Sequence, residues 1–294
     1  MTSAARFAAR LAFVALFSSG CCLAQGLQIA ADPASEQAFL SSLIEYSAGR
    51  SGASYELEVV PTELGLRKAA TGEVDVAGTS RAARRDDRQE RQVEVFPVAW
   101  DALVVIVHPE NPILNIRLQQ LADIYQGSLT RWDQLGGERV AIDLLAHENS
   151  LDGVAFNLGD LILRQPGATL AATRRFKTSE EIIAAVESEP RALGVVNYSA
   201  ARKRRLKLLL VEGVAPAISN IQSGDYLLYF PMYLAIRSDA VNRRDIRQFI
   251  RMATGTATRR ILRRNGVVPY NDGLGLASRQ FERTRLLNGL KSSQ

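Results

Sequence analysis

Residues 141–157, AIDLLAHENSLDGVAFN, run from an apolar segment into His147, Glu148, Asn149 and Ser150 and then back into a helical pattern. A strand that hands a short polar loop to a helix start exposes unpaired backbone N–H groups at the positive end of the helix dipole, and such an end holds an anion. The chemistry on offer is therefore binding rather than bond making. Catalytic signatures are missing from the chain: it has no Gly-x-Ser-x-Gly elbow, no phosphate loop ending in Gly-Lys-Ser/Thr and no dinucleotide fingerprint. Its two histidines, His108 and His147, are not at metal-ligand spacing. His147 beside Glu148 reads as a loop pair, and His108 beside Pro109 as a turn residue. No cofactor and no metal are implied.

The elements that must position this loop belong to an ordinary globular chain. It has 294 residues, 47% hydrophobic and 23% charged, enough for one large domain or two lobes. Residues 1–24 stand apart: Arg6 and Arg10 precede the apolar run Leu11–Phe17, and small residues follow up to Ala24. This is the layout of a secretory signal peptide, with cleavage expected after Ala24 and a periplasmic location for residues 25–294. Both cysteines, Cys21 and Cys22, fall in the cleavage region, so the mature chain would have no disulfide. Gly20-Cys21 leaves lipidation at Cys21 open as the alternative, although Ser18 stands where a lipoprotein signal prefers Leu. Removing the leader lowers the excess of basic residues from the five of the whole chain by the two arginines it carries. Nucleic acid is not indicated, because the basic residues interleave with acids, as in RAARRDDRQER at 81–91. The denser run RKRRLK at 202–207 reads as a basic turn before a strand, with an anionic surface or a partner as the alternative.

Order along the chain gives the fold class. LQIAA at 27–31 and YELEVV at 55–60 read as strands, and Asp32-Pro33 starts a helix that ends at Gly49. A helix over 62–71 is closed by Gly72, and VDVAG at 74–78 is a third strand. Strand, helix, strand, helix, strand implies a parallel sheet flanked by helices. A polar helix is expected over 81–92, and DALVVIVHP at 101–109 should be a strand buried on both faces. After the opening loop come a helix to about Arg164, a helix over 178–187 with Glu181 as the capping-box partner, and strands at 192–199 and 206–213. A long strand interrupted by Pro231 spans 226–237, Arg-rich helices follow up to Gly266, and the tail after Ser278 reads as a loosely held helix.

Taken together these segments resemble the periplasmic phosphate-binding proteins, the substrate-binding components of phosphate ABC transporters, from about Leu27 to Tyr270. The most specific stretch is DALVVIVHPENPILNIRLQQLADIYQGSLTRWDQLGG, through Ile124, Gly127, Trp132, Gly136 and Gly137. GEVDVAGTSR, LGVVNY, VEGVAP and YLLYFPMYLAI agree as well. The resemblance implies an α/β, two-lobed type II periplasmic binding protein fold with two crossing hinge strands. Lobe one would comprise about 27–100 and 229–280, and lobe two about 101–228.

The resemblance also implies where the pocket lies and how far it has diverged. Such receptors hold an oxyanion with hydroxyls, helix-start N–H groups and an Arg. The first loop here offers only Asp32 and Ser35 as polar groups, and the second, PTELG, keeps Thr62 but has Glu63 for a Gly. The third is retained best, with Thr79, Ser80 and Arg81. In the fourth, HENSLDG replaces Arg-Glu-x-x-Ser-Gly-Thr: His147 stands for the Arg, Glu148 is kept, and Asn149 and Ser150 remain as polar groups. A carboxylate of Asp32, Glu63 or Asp152 facing a bound phosphate at about 4 Å would cost roughly 4 kcal/mol.

The resemblance implies a non-catalytic, monomeric receptor for phosphate or another small anion, closing by a hinge and working with an ABC permease. The alternative is a receptor-fold module without tight phosphate binding that acts through protein or envelope contacts.

Overall fold

The computed structural model describes residues 26–289, so the expected leader with Cys21 and Cys22 lies outside the described residues. The first part of the chain forms β1 (Leu27–Ala31), α1 (residues 33–51), β2 (Tyr55–Val59), α2 (Thr62–Thr71), β3 (Val76–Thr79) and β4 (Val93–Val107). The middle adds α3 (Leu118–Gln126), β5 (Asp143–His147), α4 (residues 153–163), β6 (Arg174–Phe176), α5 (Ser179–Ser188) and β7 (Ala192–Asn197). The last part contributes β8 (Tyr229–Arg237), α6 (Arg244–Ala253), α7 (Arg259–Asn265) and α8 (Leu274–Gly289).

These strands form one mixed sheet in the order β2-β1-β3-β8-β4-β7-β5-β6. β1, β2 and β3 are parallel, as their helical crossovers require. The 15-residue β4 is the bridge. It pairs antiparallel with β8 from Val93 to Ala102, then with β7 from Leu103 to Val107, so its two halves belong to two lobes. From Val98 onward every β4 residue is buried, which explains the unbroken apolar run in the sequence. The molecule thus has the two-lobed type II periplasmic binding protein fold.

At the point where β4 changes partner, Asp101 is only 1% exposed. It accepts hydrogen bonds from Ser199 Oγ (2.6 Å), from the Ala102 N–H (2.8 Å) and from the Ser199 N–H (3.2 Å). Burial pushes its carboxyl up to about 6 despite these donors.

Four expectations are corrected. Residues 81–92 form an irregular loop with one short turn at its end rather than a helix. The cause is side-chain competition: Asp87 takes the Gln89 and Glu90 N–H groups, and Glu90 takes the Arg84 N–H. The strand expected over 206–213 is two short pieces, Lys207–Leu208 and Leu210–Val211, and the strand before Pro231 begins at Tyr229. The final helix is anchored, because Arg283 is buried, lies 4.4 Å over the Tyr229 ring and donates to the Tyr229 carbonyl.

Candidate functional site

The C-terminal ends of β1, β2 and β3 deliver Asp32, Thr62 and Ser80 to one point, where the starts of α1 and α2 face the start of α4 from the other lobe. Such convergence of helix N-termini makes a strongly anion-favouring spot. The anion found there is the chain's own. Asp32 caps α1 through Oδ1, which accepts from the Ser35 N–H at 2.7 Å. Its other oxygen, Oδ2, accepts from Thr62 Oγ1 (2.8 Å), the Ser80 N–H (2.7 Å) and Ser80 Oγ (2.8 Å). Four donors therefore converge on one carboxylate that is 3% exposed.

The second lobe meets this group with a reciprocal cap. Asp152 precedes α4, yet its carboxylate leaves its own helix and accepts the Thr62 N–H at 3.0 Å, at the start of α2. In return the Gly153 N–H, the first of α4, donates to Thr62 Oγ1 at 3.0 Å. Each helix start is satisfied by a residue of the opposite lobe, the office a bound anion would otherwise fill. Asn157 adds a cross-lobe bond, donating from Nδ2 to the Ser80 carbonyl at 2.7 Å. At the rim Gln37 donates to Glu180 at 2.8 Å.

Close approach is built into the sequence at Gly153. A Cβ there would lie 1.6 Å from Ser80 Oγ, so any larger residue forces the lobes apart. With the lobes this close, the cavity left between them is about 30 Å³, where one water takes roughly 10–15 Å³.

Arg81, the cation expected to face a ligand, is turned away. Its guanidinium is fully buried and paired bidentately with Glu90 at 2.8 Å on both arms. Its Nε donates to the Leu151 carbonyl at 2.8 Å and its plane lies 5.1 Å from the Phe156 ring centre. It ties the lobes together and brings no net charge to the cleft. Thr79 turns inward as well, its hydroxyl bonded to the Arg81 carbonyl at 2.9 Å.

Of the four polar residues that open the fourth loop, only His147 reaches the cavity wall, 3.3 Å from Ser179 Oγ. Burial lowers its pKa to about 4 against the opposing charge of Glu181, so it stays neutral where an Arg would be charged. Glu148, Asn149 and Ser150, expected as ligand contacts, do not line the cavity. Glu148 is exposed, and Asn149 closes the turn by accepting the Leu151 N–H at 3.0 Å. The polar centre of the loop has moved to Asp152. Burial, reinforced by the charges of Asp32 and Glu63, raises the Asp152 carboxyl to about 6, against the Thr62 hydrogen bond and Arg81. Glu63 itself points outward, paired with Arg67 at 2.7 Å one helical turn away.

The structure brings Asp32, Ser35, Thr62 and Ser80 of the expected set together, and adds Glu90, Asn157 and the α5 start, where Lys177, Thr178 and Ser179 complete the cavity wall, none of which the sequence reading included. The capping box of Thr178 with Glu181 was the available signal for a further helix start at this place.

Comparison with known proteins agrees with this fold. The family described as PBP superfamily domain matches residues 19–255. Protein SphX of Synechococcus elongatus is 25% identical over 228 residues, covering 70% of this chain and 66% of SphX, just under two thirds of its length. The phosphate-binding protein PstS of Borreliella burgdorferi is 24% identical over 206 residues, covering 65% of this chain and 71% of PstS. Among solved structures, a phosphate ABC transporter substrate-binding protein from Clostridium perfringens with bound phosphate superposes with a TM-score of 0.74 at 18% identity, covering 83% of this chain and 99% of that one. An ABC-type phosphate transport receptor from Vibrio cholerae gives 0.68 at 21% identity, covering 82% and 99%.

Proposed function

Because the chain belongs to the PBP superfamily domain family, we propose that it is an exported receptor-fold protein whose lobes are held together by its own carboxylates, without tight binding of free phosphate, and that it works through contacts with a protein or the cell envelope. The observation that carries this is the saturation of the anion position by Asp32, whose carboxylate takes Ser35 N–H, Thr62 Oγ1 and both Ser80 donors. Asp32 and Asp152 together supply the two negative charges of a hydrogen phosphate ion. With Arg81 neutralised by Glu90, a third anion meets repulsion of roughly 4 kcal/mol from one carboxylate at about 4 Å, near a thousandfold in affinity.

A second reading is favoured by the donors that survive. Thr62, Ser80 and the helix starts would hold phosphate or a related small anion, delivered to an ABC permease as the names of the relatives suggest, if Asp32 swung out of the cleft. Equilibrium dialysis with labelled phosphate, on protein unfolded and refolded to strip any bound ligand, separates the two between about pH 5 and 8. The first reading expects no uptake at millimolar phosphate, and micromolar binding overturns it. Export through the leader of residues 1–24 is tested by mass spectrometry of the protein from its host, which should show a chain beginning at Gln25.

A further inference from the structure

A long segment with a large excess of positive charge lies far in sequence from the cleft loops. Residues 243–264 hold eight arginines against a single acid, Asp245, whereas the whole chain has a net charge of only +5. The remainder of the chain is therefore acidic on balance. Part of this excess is used internally: Arg243 is bound by Asp75 and Asp245, and Arg259 and Arg263 share Asp272. Arg244, Arg247, Arg251, Arg260 and Arg264 are exposed, and among the described residues none of them has a carboxylate partner.

On α6 the arrangement is a stripe. Arg244, Arg247 and Arg251 stand at i, i+3 and i+7, on one side of a helix whose opposite side buries Ile246, Phe249, Ile250 and Ala253. The flank beside the stripe opens on a groove of about 470 Å³ lined by Tyr46, Arg50, Tyr55, Gln248, Phe249 and Met252. Arg50 lies over the Tyr46 ring at 5.6 Å. This groove brings the Arg50 guanidinium and the Asp245 carboxylate, itself paired with Arg243, beside tyrosine, phenylalanine and methionine side chains, unlike the cleft, which is small and anionic.

We propose that this end of the first lobe docks on an anionic phospholipid bilayer, with the arginine stripe of α6 on headgroup phosphates and the tyrosine-lined groove in the interfacial layer. Guanidinium groups pair bidentately with phosphate, and tyrosines with an apolar body and polar tip suit the headgroup region. The exposed guanidinium groups of Arg244, Arg247 and Arg251 on one helix side complement the charge of a phosphate surface. The inference is independent of what the cleft holds, since no cleft residue takes part.

Cosedimentation of the purified protein with vesicles tests it, comparing phosphatidylglycerol mixed into phosphatidylcholine with phosphatidylcholine alone. At low salt the protein should bind the anionic vesicles and not the neutral ones, and binding should vanish near 1 M salt, where the screening length is about 3 Å. Replacing Arg244, Arg247 and Arg251 together by Gln should weaken binding by roughly a hundredfold, about fivefold for each charge. The melting temperature reports that the triple variant stays folded, as expected for exposed side chains. Arg174→Gln in the second lobe should leave vesicle binding unchanged. Failure to bind anionic vesicles, or equal binding by the triple variant, overturns the proposal, and an acidic protein partner would give the first of these results.

Discussion

The two lobes face each other across the cleft with opposite strategies. The first keeps its anion-binding donors and fills them from within, by an Asp placed one residue ahead of the helix it caps. The second has given up its fixed charge, putting a buried, neutral His147 where the resembling receptors carry Arg, and sends Asp152 across to cap the first lobe's helix. The difference teaches that, on the proposed reading, two separable features oppose a bound anion, occupied donors on one lobe and a missing cation on the other.

The comparison breaks most severely at the buried ion pair. Glu90→Ala should cost about 3–5 kcal/mol in denaturant unfolding, because it strands the Arg81 guanidinium in a site with no water access. Glu148→Ala on the exposed second-lobe loop should change stability by less than about 0.5 kcal/mol. Comparable losses for the two would mean that the Arg81 pair is not the lobe's foundation.

Next in size is Asp32→Asn, which keeps the volume and removes the charge. Phosphate affinity measured by calorimetry should rise by up to about a thousandfold, corresponding to roughly 4 kcal/mol. An unchanged null result would place the barrier in the second lobe instead, and His147→Arg in the Asp32→Asn background would then be the informative addition.

A pH series sharpens the contrast between hinge and cleft. Asp101 has its carboxyl raised from 3.8 to about 6, so the folded chain binds that proton more tightly than the unfolded one. Its stabilising contribution is full below pH 3.8 and is lost as pH rises through 6, a change of about 3 kcal/mol. His147 runs the other way: lowered from 6.5 to about 4, it contributes fully above pH 6.5 and loses this as pH falls through 4. Unfolding midpoints of Asp101→Asn should decline less on raising pH through this window, the remaining decline coming from Asp152, whose carboxyl is raised likewise to about 6.

Smallest is Gly153→Ala. A single added methyl overlaps Ser80 Oγ and should cost about 1–3 kcal/mol while spreading the lobes, visible as a larger radius of gyration.

Much of this was legible in the sequence because it is local. Asp32-Pro33 announces its helix, Gly72 ends another at φ +79°, and the apolar run of β4 declares a strand buried on both faces. The site was legible only as a set of loops. That Asp152 caps a helix 90 residues away, or that Glu90 rather than a ligand neutralises Arg81, depends on how the lobes close and leaves no periodic trace. The helix expected over 81–92 failed for the same reason, since Glu90 is committed to Arg81 and to the Arg84 N–H.

Small-angle X-ray scattering of the wild-type protein, stripped of phosphate by unfolding and refolding, tests the central claim most directly. If Asp32 and Asp152 close the cleft, the stripped protein should scatter as the compact two-lobed form, and millimolar phosphate should leave the curve unchanged. An expanded form that contracts when phosphate is added would contradict the account.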